Sequence, residues 1–113
     1  MSEFITIKEN RDFIRLYKRG KSFVSPVLVT YVMKNKSGEV RYGITTGKKI
    51  GKAVKRTRAR RVIRESFYEL YPCIKSGYDI VFVARGKTPF VKSQTVKMAM
   101  QKHFEMAGIV LKR

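Results

Sequence analysis

A basic stretch, G-K-K-I-G-K-A-V-K-R-T-R-A-R-R-V-I-R at Gly47–Arg64, determines how the rest of the chain can fold around it. Nine of the seventeen residues from Lys48 onward are Lys or Arg, and none is acidic. The second half has the i, i+3/i+4, i+7 spacing of a helix that buries one side. That apolar stripe comprises Ala59, Val62, Ile63, Ser66, Phe67 and Leu70. Cations crowd the helix start, where the macrodipole is already positive, so this face is predicted to bind anions.

The composition limits the possible partners. The 113 residues include 26 basic and 8 acidic ones, which gives a net charge of +18. Such a charge favours a polyanionic partner, with nucleic acid ahead of an anionic membrane surface. No apolar run is long enough to span a bilayer, and the N-terminus lacks the pattern of a secretory signal. The single cysteine, Cys73, fits a reducing compartment. We therefore expect one RNA-binding domain over residues 1–113, located in the cytoplasm.

Hydrophobic periodicity predicts an α+β fold, a small mixed sheet with helices packed on it, in the order α-β-β-α-β-α. The Asn35–Gly38 turn predicts a hairpin between the first two strands. The apolar run Y-D-I-V-F-V-A predicts a buried central strand. The predicted elements are a helix at 9–19, strands at 27–34 and Val40–Thr46, a helix ending near Leu70, a strand at Tyr78–Ala84 and a helix at about Ser93–Ala107.

The residues do not support catalysis by the protein alone. The eight acids are scattered and form no cluster of the kind that holds two metals. The only histidine, His103, lies at the border of an apolar stripe, where a packing role is expected. A basic helix beside apolar strands and aromatic side chains is typical of proteins that hold single-stranded RNA. Taken alone, Phe13 and Tyr17 of the first helix fit a place in the core.

A family resemblance rests on K-K-I-G-K-A-V-K-R-T-R-A-R-R-V-I-R-E, Lys48–Glu65. This segment resembles the signature of the bacterial ribonuclease P protein component. The likeness continues through Asn10–Gly20, through R-Y-G-I from Arg41 and through Asp79–Arg85. The chain departs from the family pattern at Thr57, where the family has Asn, and at Arg60, where it has Lys. Thr57 loses the amide, whereas Arg60 keeps the charge and adds a fork for phosphate.

The resemblance implies a compact α-β sandwich with a mostly antiparallel sheet and a left-handed βαβ crossover around the basic helix. It implies a subunit of ribonuclease P, the endoribonuclease that removes the 5′ leader of precursor tRNA. The catalytic groups and Mg²⁺ would then lie on a catalytic RNA, with no metal bound directly by this chain. The protein, monomeric apart from RNA, would contact that RNA and grip the single-stranded leader.

The resemblance also implies two sets of site residues. The leader would be bound by Phe13, Tyr17, Val29, Tyr31, Arg56, Thr57, Arg60 and Arg64, which places the first two rings at least partly in solvent. The catalytic RNA would be bound by Lys48, Lys49, Lys52, Arg58 and Arg61. Two alternatives stay open at this point. One is a general RNA-binding or ribosome-associated protein with no role in an enzyme, and the other is a nuclease acting alone.

Overall fold

The structure, a computed structural model, describes residues 4–111; the first three and last two residues of the predicted domain lie outside this range. The elements are β1 (Phe4–Thr6), α1 (Asn10–Arg19), β2 (Lys21–Val24), β3 (Leu28–Lys34), β4 (Val40–Thr45), α2 (Ala53–Leu70), β5 (Tyr78–Ala84) and α3 (Ser93–Ala107). The predicted α+β class and all six predicted elements are confirmed. The predicted order lacked β1 and β2, because strands of three and four residues are too short to show alternation.

The five strands form one mixed sheet in the order β1-β4-β5-β3-β2. β4 pairs in parallel with both β1 and β5, whereas β3 pairs antiparallel with both β5 and β2. The sheet is therefore evenly mixed rather than mostly antiparallel. The predicted hairpin between β3 and β4 is wrong, because β5 lies between them. β5 is largely apolar on both faces, and its central position buries five of its seven residues, in line with the buried central strand that its sequence predicted.

The β4–α2–β5 unit joins two neighbouring parallel strands through the basic helix. This is the unit to which the family resemblance assigns a left-handed crossover. The handedness stays a prediction.

One face of the sheet is covered by α2 and α3, and it carries the main core. The predicted apolar stripe of α2 is confirmed, since all six of its residues are buried. The ring of Phe67 stacks on Tyr42 of β4 with centroids 4.6 Å apart and lies 5.5 Å from Phe82 of β5. Each buried ring contributes about 1.5–3 kcal/mol from burial alone. These contacts fix the rotation of α2 about its axis, and hence the direction of its arginines.

His103 of α3 packs on this same face, as the sequence predicted. Its Nδ1 lies 2.7 Å from the hydroxyl of Thr30 on β3, at hydrogen-bond distance, and both side chains are buried. Burial lowers the pKa of His103, because the desolvated ring resists a positive charge.

Of the elements between residues 4 and 111, only α1 covers the other face of the sheet. A smaller apolar cluster there consists of Ile7, Leu16 and Val81, with Phe13, Tyr31, Met33 and Val83 partly buried against it. A helix of ten residues is about 15 Å long, whereas five strands span roughly 19 Å across the sheet. α1 therefore leaves part of this face open to solvent.

A network of charged side chains ties α1 to the sheet. Arg41 on β4 reaches Asp12 of α1 at 3.0 Å and Asp79 of β5 at 3.5 Å. Asn35 donates a further hydrogen bond to Asp79 at 2.8 Å. Because Asp12 and Asp79 are only 8% and 2% exposed, Arg41 compensates two carboxylates that have lost most of their water.

Candidate nucleic-acid interface

Helix α2 presents its arginines on two flanks. Residues at i, i+4 and i+8 share one flank, which holds Arg56, Arg60 and Arg64, all half-buried. Arg60 fixes the direction of this flank, because its guanidinium donates to the carbonyl oxygen of Ile44 and to the hydroxyl of Thr46, both at 3.1 Å. This flank therefore faces the carboxyl end of β4.

The second flank of α2 borders a groove against the segment that precedes α3. Arg58 and Arg61 line this groove together with Thr57. Thr57 therefore lies on the side of Arg58 and Arg61, not on the side of Arg60. The i, i+4 ion pair that Arg61 could form with Glu65 is not made between these two described residues.

The positive charge of α2 is not cancelled within the described part of the chain. Between residues 4 and 111, none of the five arginines of α2 forms an ion pair. The four acidic side chains there that form ion pairs, Glu9, Asp12, Glu69 and Asp79, pair with other cations, namely Arg11, Arg15, Arg41 and Lys97. The two acceptors of Arg60 are neutral, so they orient its guanidinium without removing its charge. Both flanks therefore remain able to bind anions.

The predicted ring-bearing residues come together on the open face of the sheet. Tyr17 of α1 is 40% exposed, and its ring meets Tyr31 of β3 edge-on with centroids 5.0 Å apart. The hydroxyl of Tyr17 lies 2.9 Å from that of Thr45, at the end of β4. Phe13, one turn earlier, is half-buried over Gly43. The expectation from α1 alone, that both rings belong to the core, is thus wrong for Tyr17 and only half right for Phe13.

The rings of Phe13, Tyr17 and Tyr31 border a cleft between α1 and the open face of the sheet, and the strand register shows which residues form its floor. Thr45, Val83 and Val29 stand side by side on β4, β5 and β3, and all three are half-buried. Thr45 touches the cleft through Tyr17, and the next residue, Thr46, holds Arg60. The end of β4 therefore joins the aromatic cleft directly to the arginine flank of α2.

The three lysines before α2 are exposed. Lys48 and Lys49 begin the 3₁₀ turn Lys48–Ile50, which is anchored by the buried side chain of Ile50. Lys52 lies immediately before the first residue of α2. Together they extend the basic surface between β4 and the helix.

Other kinds of site have less support. Among residues 4–111, no group of three or more His, Cys, Asp or Glu side chains lies close enough to hold a metal ion. None of the helices in this range has the length and apolar character needed to cross a bilayer.

The fold and the sequence agree with one known family. The sequence model of the family Ribonuclease P matches residues 1–108. The chain belongs to the ribonuclease P family. The ribonuclease P protein component of Clostridioides difficile (strain 630) is 50% identical over 80 residues, which cover 70% of each chain. That of Thermoanaerobacter sp. (strain X514) is 43% identical over 100 residues, covering 88% of this chain and 86% of the relative.

Solved structures of ribonuclease P proteins share the architecture. The Staphylococcus aureus protein superposes with a TM-score of 0.82 at 32% identity, covering 94% of this chain and 97% of that chain. The Thermotoga maritima protein gives a TM-score of 0.79 at 30% identity, covering 89% and 96%. Membership of the ribonuclease P family favours a role in that enzyme over a general RNA-binding protein.

Sequence reasoning missed three residues of this ribonuclease P protein's cleft: Thr45, Thr46 and Val83. The alternation of each strand gives the side on which these residues lie. Only the position of β5 between β3 and β4 brings Thr45 and Val83 into one row with Val29. A correct strand order would have been the signal needed to find them.

Proposed function

We propose that this chain, as the protein subunit of ribonuclease P, holds the single-stranded 5′ leader of precursor tRNA in the cleft between α1 and the sheet. The observation that carries the proposal is the continuity at the end of β4. Thr45 contacts Tyr17 of the cleft, and Thr46 contacts Arg60 of the arginine flank formed by Arg56, Arg60 and Arg64. A strand of RNA needs both kinds of surface at once, rings for its bases and cations for its phosphates.

The arginine flank supplies the phosphate contacts. A guanidinium carries five N–H donors, and Arg60 uses one for Ile44 and one for Thr46, so three remain. The bonds to neutral acceptors hold the remaining donors in a fixed direction before RNA arrives. Preorganisation of this kind reduces the conformational entropy that binding would otherwise cost. Arg56 and Arg64 extend the same flank by one turn in each direction, as a track for successive phosphates.

The cleft supplies the surface for the bases. The exposed part of Tyr17 and the half-buried Tyr31 and Phe13 offer ring surface, and Val29 provides apolar area beside them. Stacking on an aromatic side chain contributes about 1–3 kcal/mol per base and tolerates different bases. The leader would therefore be gripped without a strict sequence requirement.

The second flank of α2 would contact the catalytic RNA. Arg58, Arg61, Lys48, Lys49 and Lys52 belong to this part of the proposal, and Thr57 moves to it because it lines the same groove as Arg58. The Mg²⁺ ions of the reaction would lie on the RNA. The contribution of this chain is positional: it holds two RNA segments on the two flanks of one rigid helix, in the cytoplasm.

A comparison of two arginine variants tests the leader cleft. In the reconstituted holoenzyme, we expect Arg64→Gln to weaken binding of precursor tRNA by about tenfold, the lower range for a charge-assisted hydrogen bond. Binding of mature tRNA, which lacks the leader, should stay unchanged. Arg61→Gln removes the same charge from the other flank and serves as the matched control. It should weaken association with the catalytic RNA and leave the preference for precursor over mature tRNA intact.

If Arg64→Gln weakens binding of precursor and mature tRNA equally, the leader does not bind in this cleft. Cleavage of precursor tRNA by the purified protein without RNA would support the nuclease alternative instead.

A further inference from the structure

Phe90 is the most exposed of the aromatic residues whose side chains the structure describes, with 66% of its surface accessible. It ends the 3₁₀ turn Thr88–Phe90, which lies beside the second flank of α2. The other phenylalanines whose side chains are described are buried or half-buried. A single exposed apolar side chain is ordinary on a protein surface, so the significance of Phe90 depends on how its turn is anchored and on what surrounds the ring.

The turn that carries Phe90 is anchored to the protein by hydrogen bonds of its first two residues, Thr88 and Pro89. The buried hydroxyl of Thr88 donates to the carbonyl oxygen of Val27 at 2.7 Å and accepts from the backbone N–H of Arg85 at 2.8 Å. Pro89 is buried, and its carbonyl oxygen accepts a hydrogen bond from Nε of Arg58 at 2.6 Å. The ring is therefore presented by an anchored turn, not by a loose loop. A rigid aromatic surface binds a flat partner at low entropic cost.

The surroundings of the ring combine apolar area with positive charge. A groove of about 590 Å³ runs between α2 and the residues that follow the turn, Val91 and Ser93, and Val54 on its wall is 80% exposed. The ammonium group of Lys55 lies 4.8 Å from the centroid of Phe90, a cation–π distance. Arg58 and Arg61 line the groove. Lys87 and Lys92 flank the turn in the sequence, and Glu65 is the one acid on the groove wall.

We propose that Phe90 is a stacking platform for an unpaired base of the catalytic RNA, with the flanking phosphates bound by Arg58 and Arg61. This inference rests on the proposed function in one respect, the assignment of the second flank of α2 to that RNA. The excess of cations around the groove is complementary to a polyanion and argues against an apolar or basic protein segment as its occupant. An unpaired base offers the flat apolar surface that the ring can contact.

The chain contains no tryptophan, so Phe90→Trp introduces a single selective fluorophore at the platform. We expect its fluorescence to be quenched when the catalytic RNA is added, because a stacked base contacts the indole directly. A short single-stranded oligonucleotide with the leader sequence should leave the fluorescence unchanged, because the leader cleft is on the other flank of α2.

Affinity measurements give an independent readout. Phe90→Ala should weaken binding of the catalytic RNA about 5- to 150-fold, the range found when a stacking ring is truncated to Ala. Met98→Ala is the matched control, because Met98 is similarly exposed at 64% but belongs to α3 rather than to the turn Thr88–Phe90. It should leave the affinity unchanged. Thermal unfolding of both variants should match the wild type, since neither side chain is buried.

The proposal is overturned if Phe90→Ala and Met98→Ala bind the catalytic RNA equally well, or if that RNA does not quench Phe90→Trp. Quenching by the leader oligonucleotide alone would also overturn it, by assigning the groove to a different RNA. These two measurements remain valid even if Arg64→Gln does not discriminate between precursor and mature tRNA, because they involve neither the leader cleft nor mature tRNA.

Discussion

Replacing Gly43 by Ala tests how Phe13 is seated in the cleft. Gly43 lies on β4 beneath α1, and a Cβ added there would come within 2.7 Å of Cζ and 2.8 Å of Cε1 of Phe13. Carbon atoms pack at about 3.5–4.0 Å, so the ring would have to retreat by roughly 1 Å. It would leave its contact with the sheet and project further into the cleft.

The size of the effect follows from two opposing contributions. Overpacking of a well-filled site costs about 1–3 kcal/mol. The loss of glycine's freedom in the unfolded chain returns about 0.4–1 kcal/mol, because the φ of Gly43 is not positive and Ala can adopt it. We expect Gly43→Ala to lower the free energy of unfolding by about 1–2 kcal/mol. The midpoint of thermal unfolding should fall by about 4–8 °C per kcal/mol.

Urea and thermal unfolding of Gly43→Ala, Phe13→Leu and the double variant form a mutant cycle. Because Leu lacks the ring atoms that would collide, the double variant should be more stable than the sum of the single changes, with a coupling of about 1 kcal/mol. Gly47→Ala is the matched control, since no atom lies within 4 Å of its added Cβ and its φ is not positive. A neutral Gly43→Ala, or strict additivity in the cycle, would refute the seating of Phe13 on Gly43.

Two further predictions concern groups buried on either face of the sheet. Arg41→Met should lower the free energy of unfolding in urea by about 3 kcal/mol, because it leaves the buried Asp79 without a cation and Asp12 with only Arg15 at 3.7 Å, and adding Asp79→Asn should restore part of the loss. A loss below about 1 kcal/mol for Arg41→Met would contradict a structural role of this network. His103 has a lowered pKa, so below about pH 6.5 the unfolded chain gains a proton that the folded chain resists. The free energy of unfolding should therefore fall with decreasing pH from about 6.5, by up to roughly 1.4 kcal/mol per unit, and this slope should be absent in His103→Asn.

Elements with a strong local pattern were predictable from the sequence. The strand Tyr78–Ala84 and the helix Ser93–Ala107 have the predicted bounds, and α2 ends at Leu70 as expected. Hydrophobic periodicity depends on neighbours within a few residues, so it survives whatever the tertiary arrangement is. Helical spacing alone places Arg60, Arg61 and Arg64 on one side of α2. Their division into two flanks follows from tertiary contacts, namely the hydrogen bonds of Arg60 and the groove that Arg61 lines.

Strand pairing and the exposure of single side chains were not predictable in this way. The Asn35–Gly38 turn favours a hairpin locally, but burial of β5 between β3 and β4 outweighs it. The exposure of Tyr17 and Phe90 has no signal in the local sequence, because each depends on what packs nearby. The incomplete cover that α1 gives the sheet leaves Tyr17 accessible, and the anchoring of Thr88 and Pro89 directs Phe90 outward.

The sequence by itself determined that the chain is a basic α+β protein with a cationic helix, and its signature indicated the family. The reason is that charge, periodicity and motif spacing are all properties of short segments. Only the tertiary structure decided that β5 separates β3 from β4 and that Thr45 and Thr46 join the ring-lined cleft to Arg60. Those contacts link residues distant in the chain, and which of them form depends on how the whole sheet buries its apolar surface.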